Sequence, residues 1–205
     1  MLIFDIGANR GKYTDAQLMV MPDVKVVCVE ANPKYASLLK AKFADNANIT
    51  VVPKAVSAIK GDIRFFIYDN EISSATQSVM ENTRFSSDKV KCTEISVQTI
   101  SIDELIALYG NPDLIKVDVE NYEDVAIASL TTKQQALCFE WMEENLEPTI
   151  NTVKHLQSLG YEKFGFMMED NYLYQPEIRM TADQLLAALP VEAGRKQTWG
   201  MIWTE

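Results

Sequence analysis

The chain opens Leu2-Ile3-Phe4-Asp5-Ile6-Gly7-Ala8-Asn9-Arg10-Gly11-Lys12-Tyr13-Thr14. An apolar run the length of one strand enters an acid and a glycine-punctuated turn, and a helical stretch from Lys12 to about Met21 follows, stopped by Pro22. Lys25-Val26-Val27-Cys28-Val29-Glu30 is a second buried-strand pattern closed by a carboxylate. Two such strands joined by a helix make a βαβ unit, and an acid ending the second strand can reach the ribose hydroxyls of a bound nucleoside. This beginning restricts the fold to a Rossmann-like α/β arrangement with a nucleotide-type ligand over the glycine turn.

The glycine spacing narrows the ligand. A dinucleotide fingerprint is G-x-G-x-x-G, so that backbone can approach a pyrophosphate. Here Asp5-x-Gly7-x-x-x-Gly11 lacks the middle glycine and adds an acid at the strand end. A carboxylate repels phosphate and attracts an ammonium or a sulfonium. The spacing therefore favours S-adenosylmethionine, which carries adenosine, a positive sulfur and an amino acid but no phosphate, over an NAD-linked site.

Downstream, the alternation continues. Pro33 suits a first helical turn, and Tyr35, Leu38, Leu39, Lys42 and Phe43 recur at helical spacing. Strands are expected at 49–52 and, as an added antiparallel pair, over 55–57 and 62–68. Further strands are expected at 94–99, 114–119, 135–142, 162–168, 172–174 and 197–204. Helices are expected from the capping box Ser101-x-x-Glu104, over 122–130, over 149–159 ending at Gly160, and over 182–189. The polar stretch 69–87 reads as a long loop with one helical turn near Met80, and a substrate lid is its sharper reading. Regular strand–helix alternation implies a mainly parallel sheet with helices on both faces and antiparallel pairing at its end, in a single domain over 1–205.

Composition excludes several classes. A 47% hydrophobic, 23% charged sequence of 205 residues is that of an ordinary globular protein with room for one core. Its formal net charge of -10 argues against a nucleic-acid partner. No run approaches the roughly 18 apolar residues of a membrane span, and no secretory signal is visible. Cys28, Cys92 and Cys138 are too dispersed for a disulfide framework or zinc site, which fits a reducing cytoplasm.

The second chemical motif is Asp113-Leu114-Ile115-Lys116-Val117-Asp118-Val119-Glu120-Asn121. Strand alternation turns Lys116, Asp118 and Glu120 to one side, and ligands of open α/β sheets bind beyond the carboxyl ends of strands. With this motif the chain resembles the FkbM family of S-adenosylmethionine-dependent methyltransferases. The resemblance rests on Phe4–Gly11, Val29-Glu30-Ala31-Asn32-Pro33, Lys54-Ala55-Val56-Ser57, the block from Val97 to Leu105, and Leu114–Glu120, in family order over the first two thirds of the chain.

The resemblance implies a class I methyltransferase fold, a seven-stranded sheet with a reversed last strand, and methyl transfer to a hydroxyl of a sugar, glycolipid or secondary metabolite. It implies that Asp5, Gly7, Asn9 and Gly11 surround the methionine part and that Glu30 holds the ribose. Asn32 would flank ribose or adenine, Lys54 and Ala55 would lie along adenine, and Asp118 and Glu120 would face the acceptor. Either acid would take the hydroxyl proton, or the two would hold a divalent metal with Glu140 as a third ligand. Asn121 stands where the family has glycine; asparagine tolerates the left-handed backbone such a turn needs. The family segment that precedes the first strand is missing from this sequence, so a homo-oligomer completing the pocket, or a shortened site, is expected. The competing function is a catalytically silent S-adenosylmethionine-binding or scaffold protein. Structural uses compete residue by residue as well: tight turning for Gly7 and Gly11, pairing with Lys116 or helix capping for Asp118 and Glu120, first-turn helix placement for Glu123, and packing for His155.

Overall fold

The computed structural model describes residues 1–68, 77–78, 92–143, 145–189 and 199–205. Its larger sheet contains β1 (Leu2–Ile6), β2 (Lys25–Val29) and β3 (Ile49–Val52), with helices α1 (Lys12–Val20) and α2 (Pro33–Lys42) in the two crossovers. A smaller sheet follows, made of β4 (Ala55–Val56), β5 (Asp62–Tyr68), β6 (Gln77–Ser78) and β7 (Cys92–Ile100). The chain then returns through α3 (Ile102–Tyr109), β8 (Leu114–Val117), α4 (Glu123–Ile127), β9 (Leu137–Met142), α5 (Leu146–Ser158), β10 (Phe164–Met168), α6 (Ala182–Ala188) and β11 (Trp199–Thr204).

The seven strands of the large sheet lie in the order β10-β11-β9-β8-β1-β2-β3. All pairs from β9 to β3 are parallel, and β11 runs antiparallel to both its neighbours, so the last strand is reversed as expected. From β1 the chain first builds outward through β2 and β3, then crosses to β8 on the other side. The carboxyl ends of β1 and β8 therefore flank a topological switch point, where open α/β sheets bind ligands.

Alternation gives each face its own core. Phe4, Ile6, Val27, Val29, Ile115, Val117 and Phe139 pack against α3 to α6 residues such as Leu105, Ile127, Leu156 and Leu185. Ile3, Val26, Cys28, Leu114 and Cys138 pack against Tyr13 of α1 and Leu39 of α2. Helix starts follow local chemistry: Asn32 caps α2 ahead of Pro33, and Ser101 and Glu104 form a complete capping box on α3.

Several boundaries differ from expectation. The stretch 55–57 does not pair with 62–68; β5 pairs with β7, and β4 joins β7 in parallel. The strand expected over 114–119 stops at Val117, the helix expected over 122–130 shortens to α4, and α5 begins at Leu146 rather than Thr149. Residues 172–174 form a turn, not a strand. The loop or lid expected over 69–87, with its turn near Met80, lies outside the described residues except for β6. Among the described residues no helix is long and apolar enough to cross a membrane.

Candidate functional site

The glycine turn is locked by its neighbours. Gly7 sits at φ +78°, and a Cβ there would lie 1.7 Å from the Asp118 carbonyl oxygen, so only glycine lets the two segments meet. The Gly7 and Ala8 amides donate to the Val29 carbonyl, and Gly11, also left-handed, donates to the Ala8 carbonyl as α1 begins. Glu30 completes the turn. Its Oε2 accepts the Asn9 amide at 2.6 Å and its Oε1 accepts the Asn32 amide at 2.7 Å. Burial outweighs these two bonds and pushes the Glu30 carboxyl up to about 7. Asn32 itself is buried, its side chain accepting the Lys34 amide at the start of α2.

A polar row crosses the apolar face under α1. Strand register places Asp5 beside Cys28 on one side and Lys116 on the other, with Cys138 beyond Lys116. Asp5 is fully buried; its Oδ2 accepts the Thr14 hydroxyl at 2.7 Å, and its Oδ1 lies 3.8 Å from Lys116 Nζ without a hydrogen bond. Lys116 donates to Asp118 Oδ2 at 3.0 Å and stands over the Tyr13 ring. Burial, the largest single influence on Lys116, would depress its ammonium, but Asp118 and Asp5 together hold it well above the ordinary lysine value. Burial raises Asp5, opposed by Lys116 and Thr14.

Beyond β8 the backbone turns sharply through Glu120 and Asn121, at φ 57° and 69°. Asp118 and Glu120 therefore project from a turn rather than from a strand, which corrects the expected alternation: the Asp118 amide still bonds to Ile6, but the left-handed pair ends the ladder. Asn121 adopts the backbone expected of it. Glu123, first in α4, receives the Val119 amide at 2.8 Å and secures the turn; burial moves its carboxyl up to about 7.

These segments enclose a cavity of about 420 Å³ at the switch point, within the range of small-molecule sites. Of the residues singled out in the sequence, Asp5, Gly7, Asn9, Glu30, Lys54, Ala55, Asp118 and Glu120 line it. Gly11 and Asn32 do not; the first makes the turn into α1 and the second caps α2. Glu140 also lines the cavity. It is only 9% exposed, and its Oε2 is buried without a hydrogen-bond partner. Burial raises its carboxyl well above the ordinary range, and Asp118, Glu120 and Glu123 raise it further against Lys116.

Asp170, Tyr13 and Tyr172 also line the cavity, and none of the three was singled out as a site residue from the sequence. Asp170 follows β10 and faces the cavity; burial lifts it to about 6. Tyr172 stands edge-on to Tyr13, and its carbonyl accepts the Gln17 amide. A signal existed only in the polar run Glu169-Asp170-Asn171 after a strand. His155 bonds the Leu130 carbonyl, a packing use. Among the described residues no group of three His, Cys, Asp or Glu side chains is arranged to hold a metal ion, so the expected divalent site on Asp118, Glu120 and Glu140 has no support there.

The cavity fits a ligand that is cationic at one end and carries a nucleoside at the other. Two buried carboxyl oxygens, Asp5 Oδ1 and Glu140 Oε2, lack hydrogen bonds, while Glu30 is held rigidly with lone pairs to spare.

A model of the methyltransferase FkbM domain matches residues 5–168. Similar solved structures include a predicted O-methyltransferase from Agrobacterium tumefaciens, at 9% identity and TM-score 0.50 over 99% of this chain and 72% of that one. Precorrin-6y C5,15-methyltransferase from Geobacter metallireducens GS-15 is 12% identical with TM-score 0.49, over 99% and 78%. Fibrillarin from Aeropyrum pernix, solved with S-adenosyl-L-methionine bound, is 12% identical with TM-score 0.48, over 100% and 65%. At these identities the likeness concerns the fold alone. No curated protein matches the sequence.

Proposed function

The chain belongs to the FkbM methyltransferase family, and from that premise we propose that it is an O-methyltransferase acting, as one cytoplasmic domain, on a hydroxyl of a sugar, glycolipid or secondary metabolite. The observation that carries this reading is the convergence of the glycine turn, Glu30 and the Asp118 segment on one cavity.

When bound, S-adenosylmethionine supplies an electrophilic methyl group on a positive sulfur. Glu30, fixed by the Asn9 and Asn32 amides, keeps lone pairs for the ribose hydroxyls. Lys54 and Ala55 would lie along adenine and Asp5, Gly7 and Asn9 would surround the amino-acid end, with Gly11 and Asn32 shaping the backbone that carries them. Lys116 holds Asp118 by one oxygen, leaving the other to accept the acceptor's hydroxyl proton as the O–CH₃ bond forms and the S–CH₃ bond breaks. Glu120, on the same turn, is the second group able to receive that proton.

The test is calorimetric titration of S-adenosylmethionine and S-adenosylhomocysteine into wild type and Glu30→Ala, followed by transfer of labelled methyl to a panel of sugars, glycolipids and hydroxylated metabolites. Glu30→Ala is expected to weaken both ligands at least about ten-fold, since it removes hydrogen bonds to a charged group. Asp118→Asn is expected to lower turnover about a hundred-fold or more while S-adenosylhomocysteine still binds. Undiminished turnover in both Asp118→Asn and Glu120→Gln would remove the proton-acceptor role.

A further inference from the structure

Glu140 and Asp170 are the acids lining the cavity that the mechanism leaves unused, and of the two Glu140 has a buried oxygen without a hydrogen bond. It lies on β9, two residues beyond Cys138 on the face that carries Asp5 and Lys116, with Met201 of β11 as its strand neighbour. The charged groups bearing on it are Asp118 and Glu120 from the turn after β8, Glu123 from α4, and Lys116 from β8. Three of these are acids. Among the described residues Lys116 is the one buried cation, and it is already engaged by Asp118 and Asp5. A buried carboxyl with an unpartnered oxygen, facing a cavity among other carboxyls, gains most from a ligand that brings positive charge.

Resting on the methyltransferase reading, we propose that Glu140 discriminates charge at the sulfur of the bound cofactor, favouring S-adenosylmethionine, a cation there, over S-adenosylhomocysteine, which is neutral there. Methyl transfer breaks the S–CH₃ bond, leaves its electron pair on sulfur and so removes the positive charge. Attraction by Glu140 then disappears at the moment of product formation, and the site releases product in favour of new donor.

Protons follow from the same arrangement. Burial favours the protonated form of the Glu140 carboxyl in the ligand-free cavity, and an entering cation favours its ionised form. Binding of S-adenosylmethionine therefore expels a proton, and its affinity rises with pH, whereas a neutral sulfur gives Glu140 no reason to ionise.

Both ligands are titrated into wild type and Glu140→Gln at about pH 6 and about pH 8.5. At the higher pH the substitution is expected to weaken S-adenosylmethionine about ten-fold, the size of one screened charge pair, and to leave S-adenosylhomocysteine within about two-fold, which also reports an intact fold. In wild type the preference for S-adenosylmethionine grows with pH, and in Glu140→Gln it does not. Equal weakening of both ligands would make Glu140 merely structural and overturn the proposal, as would an unchanged preference. If wild type binds neither ligand, the functional reading itself fails, an outcome distinct from both.

Discussion

Glu30 and Glu140 are the same residue type, both buried and both at the carboxyl side of the large sheet, yet their surroundings are opposite. Each Glu30 oxygen takes a backbone amide, at 2.6 and 2.7 Å, and through those bonds ties the glycine turn to the start of α2. Glu140 has an oxygen with no partner and faces Asp118, Glu120 and Glu123. Glu30 is fixed before any ligand arrives; Glu140 holds unpaired polarity that a ligand can satisfy. A buried polar group is tolerated unpaired where function uses the cost.

The largest expected effect breaks the organised end. In Gly7→Ala the new Cβ would strike the Asp118 carbonyl at 1.7 Å on top of a φ of +78°. Gly61→Ala is the control, at φ +111° with nothing within 4 Å. Urea unfolding is expected to show a loss of about 3 kcal/mol or more for Gly7→Ala, against about 1–2 kcal/mol of backbone strain for Gly61→Ala. Equal losses would mean that the close approach of the two turns contributes nothing, and the picture of a pre-built cofactor end would lose its anchor.

A smaller effect compares the two glutamates directly. Both have carboxyls raised by burial in the folded chain, Glu30 to about 7, while the unfolded chain titrates near 4.5. Between those values the folded state binds more protons than the unfolded state, so stability is fully present below about pH 4.5 and is lost as pH rises toward and past 7. The ligand-free Tm is therefore expected to fall by several degrees between about pH 5 and 8. Glu140→Gln should remove more of that fall than Glu30→Gln, because no amide bonds compensate the Glu140 charge. The reverse order would sink the contrast.

The organised end is also the end that was legible in the sequence. An apolar run, an acid and two glycines are local signals, and a strand-terminal Glu30 follows from the same βαβ unit, so a nucleoside-type site is readable from contiguous residues, whereas the seven-stranded sheet with its reversed last strand rests on the resemblance carried by blocks as far as Glu120. Asn121 was readable too, since its tolerance of positive φ is intrinsic. The end around Lys116, Asp118 and Asp170 was not. Lys116 and Asp118 were visible as charges, but their ladder with Asp5 depends on strand register between residues more than a hundred positions apart. Asp170 and Tyr172 reach the cavity because the segment after β10 folds back against α1, through the Gln17 bond to Tyr172. The strand through Asp118 was overextended for a related reason: alternation continues in the sequence to Glu120, but the left-handed pair at Glu120 and Asn121 stops pairing at Val117.

The smallest expected effect concerns that second turn. The turn after β1 meets its positive φ values with Gly7, Gly11 and one asparagine, Asn9, whereas the turn after β8 uses Glu120 and Asn121 in succession and no glycine. A side chain in the left-handed region costs about 1–2 kcal/mol for most residues and less for asparagine. Asn121→Gly is therefore expected to change unfolding free energy by under about 1 kcal/mol, and Asn121→Ala to lower it by about 1 kcal/mol. If the turn's strain is kept for function, Asn121→Gly should loosen the placement of Asp118 and Glu120 and lower turnover without lowering stability or S-adenosylhomocysteine affinity. Unchanged turnover in the glycine variant would make the asparagine a neutral replacement and leave Glu120 alone as the strained residue of that turn.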